Sequence, residues 1–266
     1  MPIRERHAPG TPSWVDLATT DVEGALDFYA AVLGWDFERD PSGEINYVMA
    51  VVDGHPAAGV FDMPPEMLSE GVPPCWNVYV TVDDADKFAG RVAAAGGAVM
   101  RPAIDVPEPG PDAAGRMVIA ADPTGAVFCT WAPIAAIGAG IVNAPGAFTW
   151  AEVATHDDDA AAAFYCELFG WETGTMEEAP DGPVVFTLDG EPVASTSMAP
   201  LPGGVPPHWR VSFGVSDVDA ACAATTSHGG NVIMPPFDFG PGRAATVSDP
   251  AGAMFDLVTL TDWPAE

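Results

Sequence analysis

Hydrophobic and polar positions along this chain run through one programme twice. Residues 14–35, WVDLATTDVEGALDFYAAVLGW, open as a strand, because Trp14, Asp16 and Ala18 alternate with Val15, Leu17 and Thr19. They continue as a helix: Asp21 suits the N-cap, Ala25, Leu26, Tyr29, Val32 and Leu33 form an apolar stripe, and Gly34 suits the stop. Residues 150–171, WAEVATHDDDAAAAFYCELFGW, do the same. Trp150, Phe164-Tyr165 and Gly170-Trp171 follow Trp14, Phe28-Tyr29 and Gly34-Trp35 at one constant spacing. Both strands carry an acid two residues after the Trp, Asp16 and Glu152, and a period of two puts each acid on the face of its Trp.

The pattern between the copies is also regular. Residues 45–52 predict a strand and 55–61 a weaker one, and the proline-laden stretch 62–74 reads as a connector. Residues 76–82 alternate as a half-buried strand, and 83–95 form a helix with Phe88 and Val92 on one face, stopped at Gly96-Gly97. A short strand at Val99 and Met100 precedes a Pro/Gly-rich loop, 102–115. The strands 116–121 and 126–131 then flank the turn Asp122-Pro123-Thr124-Gly125. Trp76 and Gly96-Gly97 recur as Trp209 and Gly229-Gly230, at a slightly shorter spacing than the first marks. Gly115-Arg116 and Asp122-Pro123 recur as Gly242-Arg243 and Asp249-Pro250, at a shorter spacing still. The spacing shrinks only across Pro/Gly loops, as a preserved core predicts. The expected layout is a loose arm (1–12), a first domain (13–133), a linker (134–147) and a second domain (148–262). Each domain holds two strand–helix–strands units, an α+β arrangement.

Composition narrows the partners. The 266 residues hold 38 acids against 9 bases, with Lys87 the sole lysine, for a formal charge of −29. Nucleic acid and anionic membrane need clustered Lys or Arg, so neither is expected as a partner. Cys75, Cys129, Cys166 and Cys222 show no C-x-x-C spacing, which argues against zinc and disulfides. The start, MPIRERHAPG, lacks the apolar stretch of a signal peptide, and no run reaches membrane-spanning length. A cytoplasmic protein is expected, with leaderless secretion left open. It would be a monomer, equivalent by duplication to a dimer of smaller subunits, or a homodimer.

The strand-then-D-x-x-x-A-x-x-FY-x-x-x-x-GW segments, the D-P-x-G-A hairpins and the fourfold repetition resemble the vicinal oxygen chelate superfamily, which includes glyoxalases, extradiol dioxygenases and bleomycin-resistance-like binding proteins. The resemblance implies βαβββ units paired into two glyoxalase-like domains, each a curled mixed sheet around a cavity. It also implies where a metal would sit. Members that use one place His, Gln or Glu at the start of the first strand and the end of the last strand of each unit. Here those positions fall on Trp14, about Val60, Asn77 and Cys129, and again on Trp150, about Ser195, Arg210 and Asp256. Trp, Val and Asn cannot supply converging imidazole, carboxylate or thiolate donors, and Arg210 repels a cation. No metal and no cofactor is expected. The histidines, His7, His55, His156, His208 and His228, show no H-E-x-x-H spacing and read as surface or capping residues.

What the cavities would present is an aromatic cup with a few polar groups, which suits a small organic molecule. Trp14, Asp16, Asn77, Tyr79, Cys129 and Trp131 would line the first, and Trp150, Glu152, Arg210, Ser212, Asp256 and Val258 the second. Each has a plain alternative. The tryptophans fill the sheet or stack on a ligand. Asp16 and Glu152 pair with Arg116, Arg210 or Arg243, or stand in a cavity as acid/base groups whose pKa burial raises. Arg116 and Arg243 brace their hairpins or bind an anion, and Arg210 and Asp256 neutralise each other across the second cavity. Cys129 is a nucleophile only with an activating neighbour, and otherwise an inert buried thiol. The leading expectation is a metal-independent protein that binds a small aromatic or planar molecule, for sequestration or carriage. Next stands a glyoxalase-like lyase, isomerase or hydroxylase-type enzyme using Asp16 or Glu152, and then a non-catalytic scaffold or signalling role.

Overall fold

The computed structural model describes residues 3–39, 46–107, 113–174, 182–240 and 242–260. The first sheet grows from β1 (Pro12–Thr19), which is buried on both faces. The chain then forms α1 (Val22–Leu33), β2 (Asp36–Arg39), β3 (Tyr47–Val52) and β4 (His55–Asp62), and β4 returns parallel to β1. After a short helix α2 (Pro65–Ser69) the pattern repeats as β5 (Cys75–Thr81), α3 (Ala85–Val92), β6 (Ala98–Val106), β7 (Gly115–Ala121) and β8 (Val127–Pro133). Strand β5 lies antiparallel to β1 and parallel to β8, which gives an eight-stranded sheet in the order β2-β3-β4-β1-β5-β8-β7-β6.

The second half builds the same object from β9 (Phe148–Ala154), α4 (Asp158–Phe169), β10 (Glu172–Gly174), β11 (Val185–Leu188), β12 (Glu191–Thr196), β13 (His208–Gly214), α5 (Val218–Ser227), β14 (Asn231–Phe239), β15 (Gly242–Ser248) and β16 (Met254–Leu260). Its order, β10-β11-β12-β9-β13-β16-β15-β14, matches the first sheet strand for strand. The α+β architecture of two sheets, each made of two βαβββ units, is therefore as the repeats predict. Local chemistry sets the helix ends. Asp21, Asp84, Asp157 and Asp217 each cap a helix with a side-chain carboxylate. Gly34 and Gly170 close α1 and α4 with φ of 74° and 71°, a left-handed conformation that costs glycine little.

The repeated Phe-Tyr and Asp-Pro marks join the two halves crosswise. Tyr165 of α4 donates to Asp122 Oδ2 in the first half at 2.9 Å, and Tyr29 of α1 donates to Asp249 Oδ2 in the second at 3.2 Å. Each tyrosine oxygen also accepts an indole N–H from its own half, Trp209 at 2.9 Å and Trp76 at 3.3 Å. Leu17 of β1 sits opposite Trp76 of β5, so the face bearing Leu17 and Trp76 carries the helix and the joint between halves. Trp14 and Asp16 therefore point to the opposite face.

Several expectations change. Residues 3–12 are no loose arm: Ile3 bridges Ile141, Arg4 N–H donates to the Gly140 carbonyl at 2.8 Å, and Gly10 N–H donates to Thr81 O at 2.8 Å. Trp171 Nε1 donates to Gly10 O at 2.7 Å, while Trp35 donates to Gly146 O at 2.6 Å, so arm and linker play equivalent parts. The expected loop 102–115 begins as strand, since β6 runs through Pro102 to Val106 on a sheet edge, where a proline leaves no ladder bond unmade. The connector 62–74 holds the one-turn helix α2, started by Pro64 and Pro65. Residue 45, the rest of that loop at 108–112, and the expected domain end at 262 lie outside the described residues.

Candidate functional site

In the first half, Trp14 and Asp16 on β1, Asn77 and Tyr79 on β5, and Tyr47 on β3 close on one another. Asp16 accepts from Asn77 Nδ2 at 2.8 Å, from Tyr79 OH at 2.8 Å and from Tyr47 OH at 3.2 Å. Trp14 Nε1 donates to Tyr47 OH at 2.9 Å. Asp16 pairs with no arginine; three neutral donors satisfy it while it is 3% exposed. Burial lifts its pKa to about 6, and the Asn77, Tyr79 and Tyr47 bonds pull the other way. Trp131 is equally enclosed, with its indole N–H on the Ala136 carbonyl at 2.8 Å. Cys129 is 2% exposed, and burial, with the Asp16 charge second, pushes its thiol far from ionisation. These residues form a packed polar core.

The equivalent face of the second half is open. A cavity of about 790 Å³ lies over β9, β13 and β16, floored by Trp150, Glu152, Arg210, Ser212, Asp256 and Val258. Side-chain size explains the difference. Phe186 pairs with Ala194 as Ala50 pairs with Ala58 in the first half, so Tyr47 corresponds to Pro183 and Gly59 to Ser195. Tyr79 corresponds to Ser212 and Trp131 to Val258. Three aromatic side chains that fill the first half are thus a proline, a serine and a valine in the second. Gly59 completes the contrast: a Cβ there would lie 2.0 Å from Tyr47 OH, so only glycine lets that ring in. In the second half Trp150 Nε1 donates instead to Ser195 Oγ at 3.0 Å.

The floor holds a charged triad. Arg210 is ion-paired with Asp256 and stands 4.0 Å from Glu152 Oε2. Thr246 Oγ1 donates to Asp256 Oδ1 at 2.6 Å and accepts from Arg210 Nη2 at 2.9 Å. Burial raises the Glu152 pKa to about 7; the neighbouring Asp256 charge adds to this and Arg210 opposes it. Burial raises Asp256 as well, and there the Arg210 guanidinium, the Thr246 hydroxyl and the Arg210 hydrogen bond oppose it. Two carboxylates share one cation, and Glu152 is the one held less tightly. It can take and return a proton near neutral pH. The two hairpin arginines lie elsewhere: Arg116 binds Asp105 and Asp86, and Arg243 binds Asp238 and Asp219, each tying a hairpin to a helix.

The donor set does not suit a divalent metal. Among the described residues no group of three or more His, Cys, Asp or Glu converges. The second cavity brings Glu152 and Asp256 together, but the Arg210 guanidinium already occupies Asp256 and would stand against the ion. In the first half the residue level with Asp16 on β4 is Gly59, not Val60, so that corner offers no side chain at all.

The sequence could name the floor but not the rim. Phe237 on β14 and Leu188 on β11 supply apolar walls, and Arg4, Arg6 and His7 of the arm reach the mouth. A proline-broken edge strand and a polar N-terminal stretch carry no periodic signal that would place them there. His7 Nε2 lies 2.8 Å from the Ala139 carbonyl, which can only accept, so this nitrogen carries the hydrogen. His156 and His208 similarly meet the carbonyls of Val205 and Pro206. No helix among the described residues is long and apolar enough to cross a membrane.

Known proteins share this layout. The Mycobacterium tuberculosis protein named "Putative glyoxylase CFP32" is 40% identical over 261 residues, covering 97% of this chain and 98% of its own. The anthracycline biosynthesis protein DnrV of Streptomyces peucetius is 36% identical over 273 residues, covering 98% and 97%. The crystal structure of the Mn(II)-bound glyoxalase from Novosphingobium aromaticivorans superposes with a TM-score of 0.66 at 14% identity, over 96% of this chain and 83% of that one. The family description Glyoxalase/Bleomycin resistance protein/Dioxygenase superfamily matches residues 11–130 and 147–257, each half separately. With its two βαβββ pairs and that twofold match, the chain belongs to the Glyoxalase/Bleomycin resistance protein/Dioxygenase superfamily.

Proposed function

We propose that the second-half cavity binds a small planar organic molecule without a resident metal. The observation that carries this is the exchange of Tyr47, Tyr79 and Trp131 for Pro183, Ser212 and Val258, which opens about 790 Å³ above Trp150. Trp150 would stack on the ligand's face, Phe237 would close the wall, and the triad would hydrogen-bond to its polar edge. In this reading Trp14, Asn77, Tyr79, Cys129 and Trp131 support the fold, and Trp150, Arg210 and Asp256 hold the ligand. The anthracycline biosynthesis relatives support a polycyclic aromatic ligand, since molecules of that class are flat and apolar with oxygen-bearing edges. Titration with a hydroxyanthraquinone should quench tryptophan fluorescence and raise the melting temperature by mass action. Trp150→Phe should remove most of the quenching, and prior dialysis against EDTA should change nothing. No binding of such probes, or binding lost with EDTA, would falsify this reading.

A second reading has its own observation. Glu152, with a pKa of about 7, has the protonation behaviour of a general acid or base in a lyase or isomerase. The relatives named as glyoxylases support it. Asp16 lies outside the cavity and is saturated by three donors, so Glu152 is the better of the two acids for this role. Glu152→Gln would then abolish turnover of a substrate and leave the quenching titration in place. Full turnover by Glu152→Gln sinks the proton-transfer role.

A further inference from the structure

Cations are scarce in this protein and concentrated at one place. Of nine Lys and Arg residues, three, Arg4, Arg6 and Arg210, line the second-half cavity, and His7 stands with them. Elsewhere Arg39, Lys87, Arg116 and Arg243 are paired with carboxylates, Arg91 donates to the carbonyls of Glu167 and Leu168, and Arg101 is exposed on β6, outside the cavity lining. Arg6 is exposed at the cavity mouth and makes no ion pair with a described residue.

The segment on either side of Arg6 is anchored. Arg4 N–H donates to Gly140 O, the His7 side-chain Nε2 donates to Ala139 O at 2.8 Å, and Gly10 N–H donates to Thr81 O. A guanidinium on a tethered segment is presented to the cavity without a backbone ordering cost, so only its side-chain rotamers are fixed at the moment of binding. The arm thus adds a cation at the mouth, where the second half's own Arg210 is already engaged by Asp256 on the floor. The rim also carries Asp189 and Glu191, next to Leu188, whose side chain packs against Gly10 of the arm. On a chain of net charge −29 the acids are the common background and the cations the departure. Charges elsewhere on the surface are screened over about 8 Å at physiological salt, so the arm governs the near field of a ligand seated below it.

We infer that the cavity selects planar ligands carrying an anionic group, which docks on the arm at Arg6. The aromatic body lies inward on Trp150, and the uncharged polar edge faces Glu152 and Arg210. This rests on the reading of the cavity as a planar-ligand site. It adds to that reading the charge of the ligand, its orientation, and the arm as a specificity element.

The test uses the full chain and three matched probes: an anthraquinone carboxylate, its neutral carboxamide and its aminomethyl cation. Dissociation constants come from tryptophan quenching at low and at physiological salt. The carboxylate should bind about two- to fivefold more tightly than the carboxamide, the range expected of one exposed ion pair. That preference should shrink as salt rises. In Arg6→Gln the ratio should fall towards one, and Arg6→Lys should keep most of it. An unchanged melting temperature of the unliganded variants shows that the arm stays in place. Equal binding of carboxylate and carboxamide, a preference for the cation, or a ratio unmoved in Arg6→Gln overturns the anion selectivity alone. Failure of all three probes to bind overturns the planar-ligand reading, and this inference with it.

Discussion

Glu152 makes the sharpest prediction, because it is an acid that the folded protein holds against its preference. Its pKa rises from 4.5 in the free side chain to about 7 in the fold, chiefly through burial. At about 1.4 kcal/mol per pH unit, keeping it ionised costs the native state on the order of 3 kcal/mol. The sign follows from proton counting. Below pH 4.5 Glu152 is protonated whether the chain is folded or not, and it contributes nothing. Between 4.5 and about 7 the native state holds a proton that the unfolded chain has released, so stability falls as pH rises. Above that range the loss is complete and constant. Glu152→Gln fixes the neutral form, so its unfolding free energy should lack this slope. The variant should match the parent near pH 4 and exceed it by about 2–3 kcal/mol at pH 8. Asp16, also raised by burial, slopes in the same direction but is common to both proteins and cancels in the difference, whereas Asp256 is coupled to Glu152 and its relief in the variant is part of the gain. Urea unfolding followed by tryptophan fluorescence, at half-unit pH steps, reads this directly from the midpoint at constant m value. A variant no more stable than the parent at pH 8, or one with an identical pH slope, refutes the claim that the cavity floor buries a strained acid.

Three further outcomes follow from the geometry. Ser212→Tyr combined with Val258→Trp copies Tyr79 and Trp131 into the second half; it should abolish anthraquinone quenching while leaving the melting temperature at or above the parent's. Tyr165→Phe strands the Trp209 N–H and removes a donor from Asp122, which should cost about 2–4 kcal/mol in urea unfolding. Tyr29→Phe, whose bonds are 3.2 and 3.3 Å long, should cost less, and equal losses would count against the crosswise joint as described. Gly59→Ala places a Cβ 2.0 Å from Tyr47 OH and should destabilise by about 1–3 kcal/mol through overpacking, whereas Ser195→Ala at the matching site meets no clash and should cost only the Trp150 hydrogen bond, about 0.5–1.5 kcal/mol.

Much of the fold can be read from particular residues. The Phe-Tyr and Gly-Trp spacings locate both first helices, and Asp122-Pro123 locates a hairpin. Only half of each role is visible, however. Asp122 Oδ1 accepts from the N–H groups of Thr124, Gly125 and Ala126, which is turn chemistry that a sequence shows. Its Oδ2 accepts from Tyr165 on the other half, and no local pattern reports that. The floor of the second cavity is legible because a period of two fixes which strand residues share a face. Which half is open is partly legible too, in the pairs Tyr79/Ser212 and Trp131/Val258. The deciding pair, Tyr47/Pro183, needs the β3–β4 register, and Pro183 precedes β11 rather than lying in it. The arm escapes such a reading because its anchors are backbone carbonyls, which every residue has.

Access decides what the second cavity contains. Its mouth is open at the exposed Arg6, so water or a ligand fills it, and its floor is built for either. Glu152, Arg210, Asp256 and Thr246 offer hydrogen bonds where ordered water can stay, while Trp150, Phe237 and Val258 leave the water above them poorly held. A flat apolar molecule displaces that second kind and keeps the first as its partners. The first half never meets this problem, because Tyr47, Tyr79 and Trp131 occupy the space permanently. Through the Tyr165–Asp122 bond the filled half also holds α4 behind the open one, and through Tyr29–Asp249 its own α1 is tied to the open half in return. Duplication thus separates two demands that conflict within a single copy, rigidity and an empty interior, and assigns one to each half.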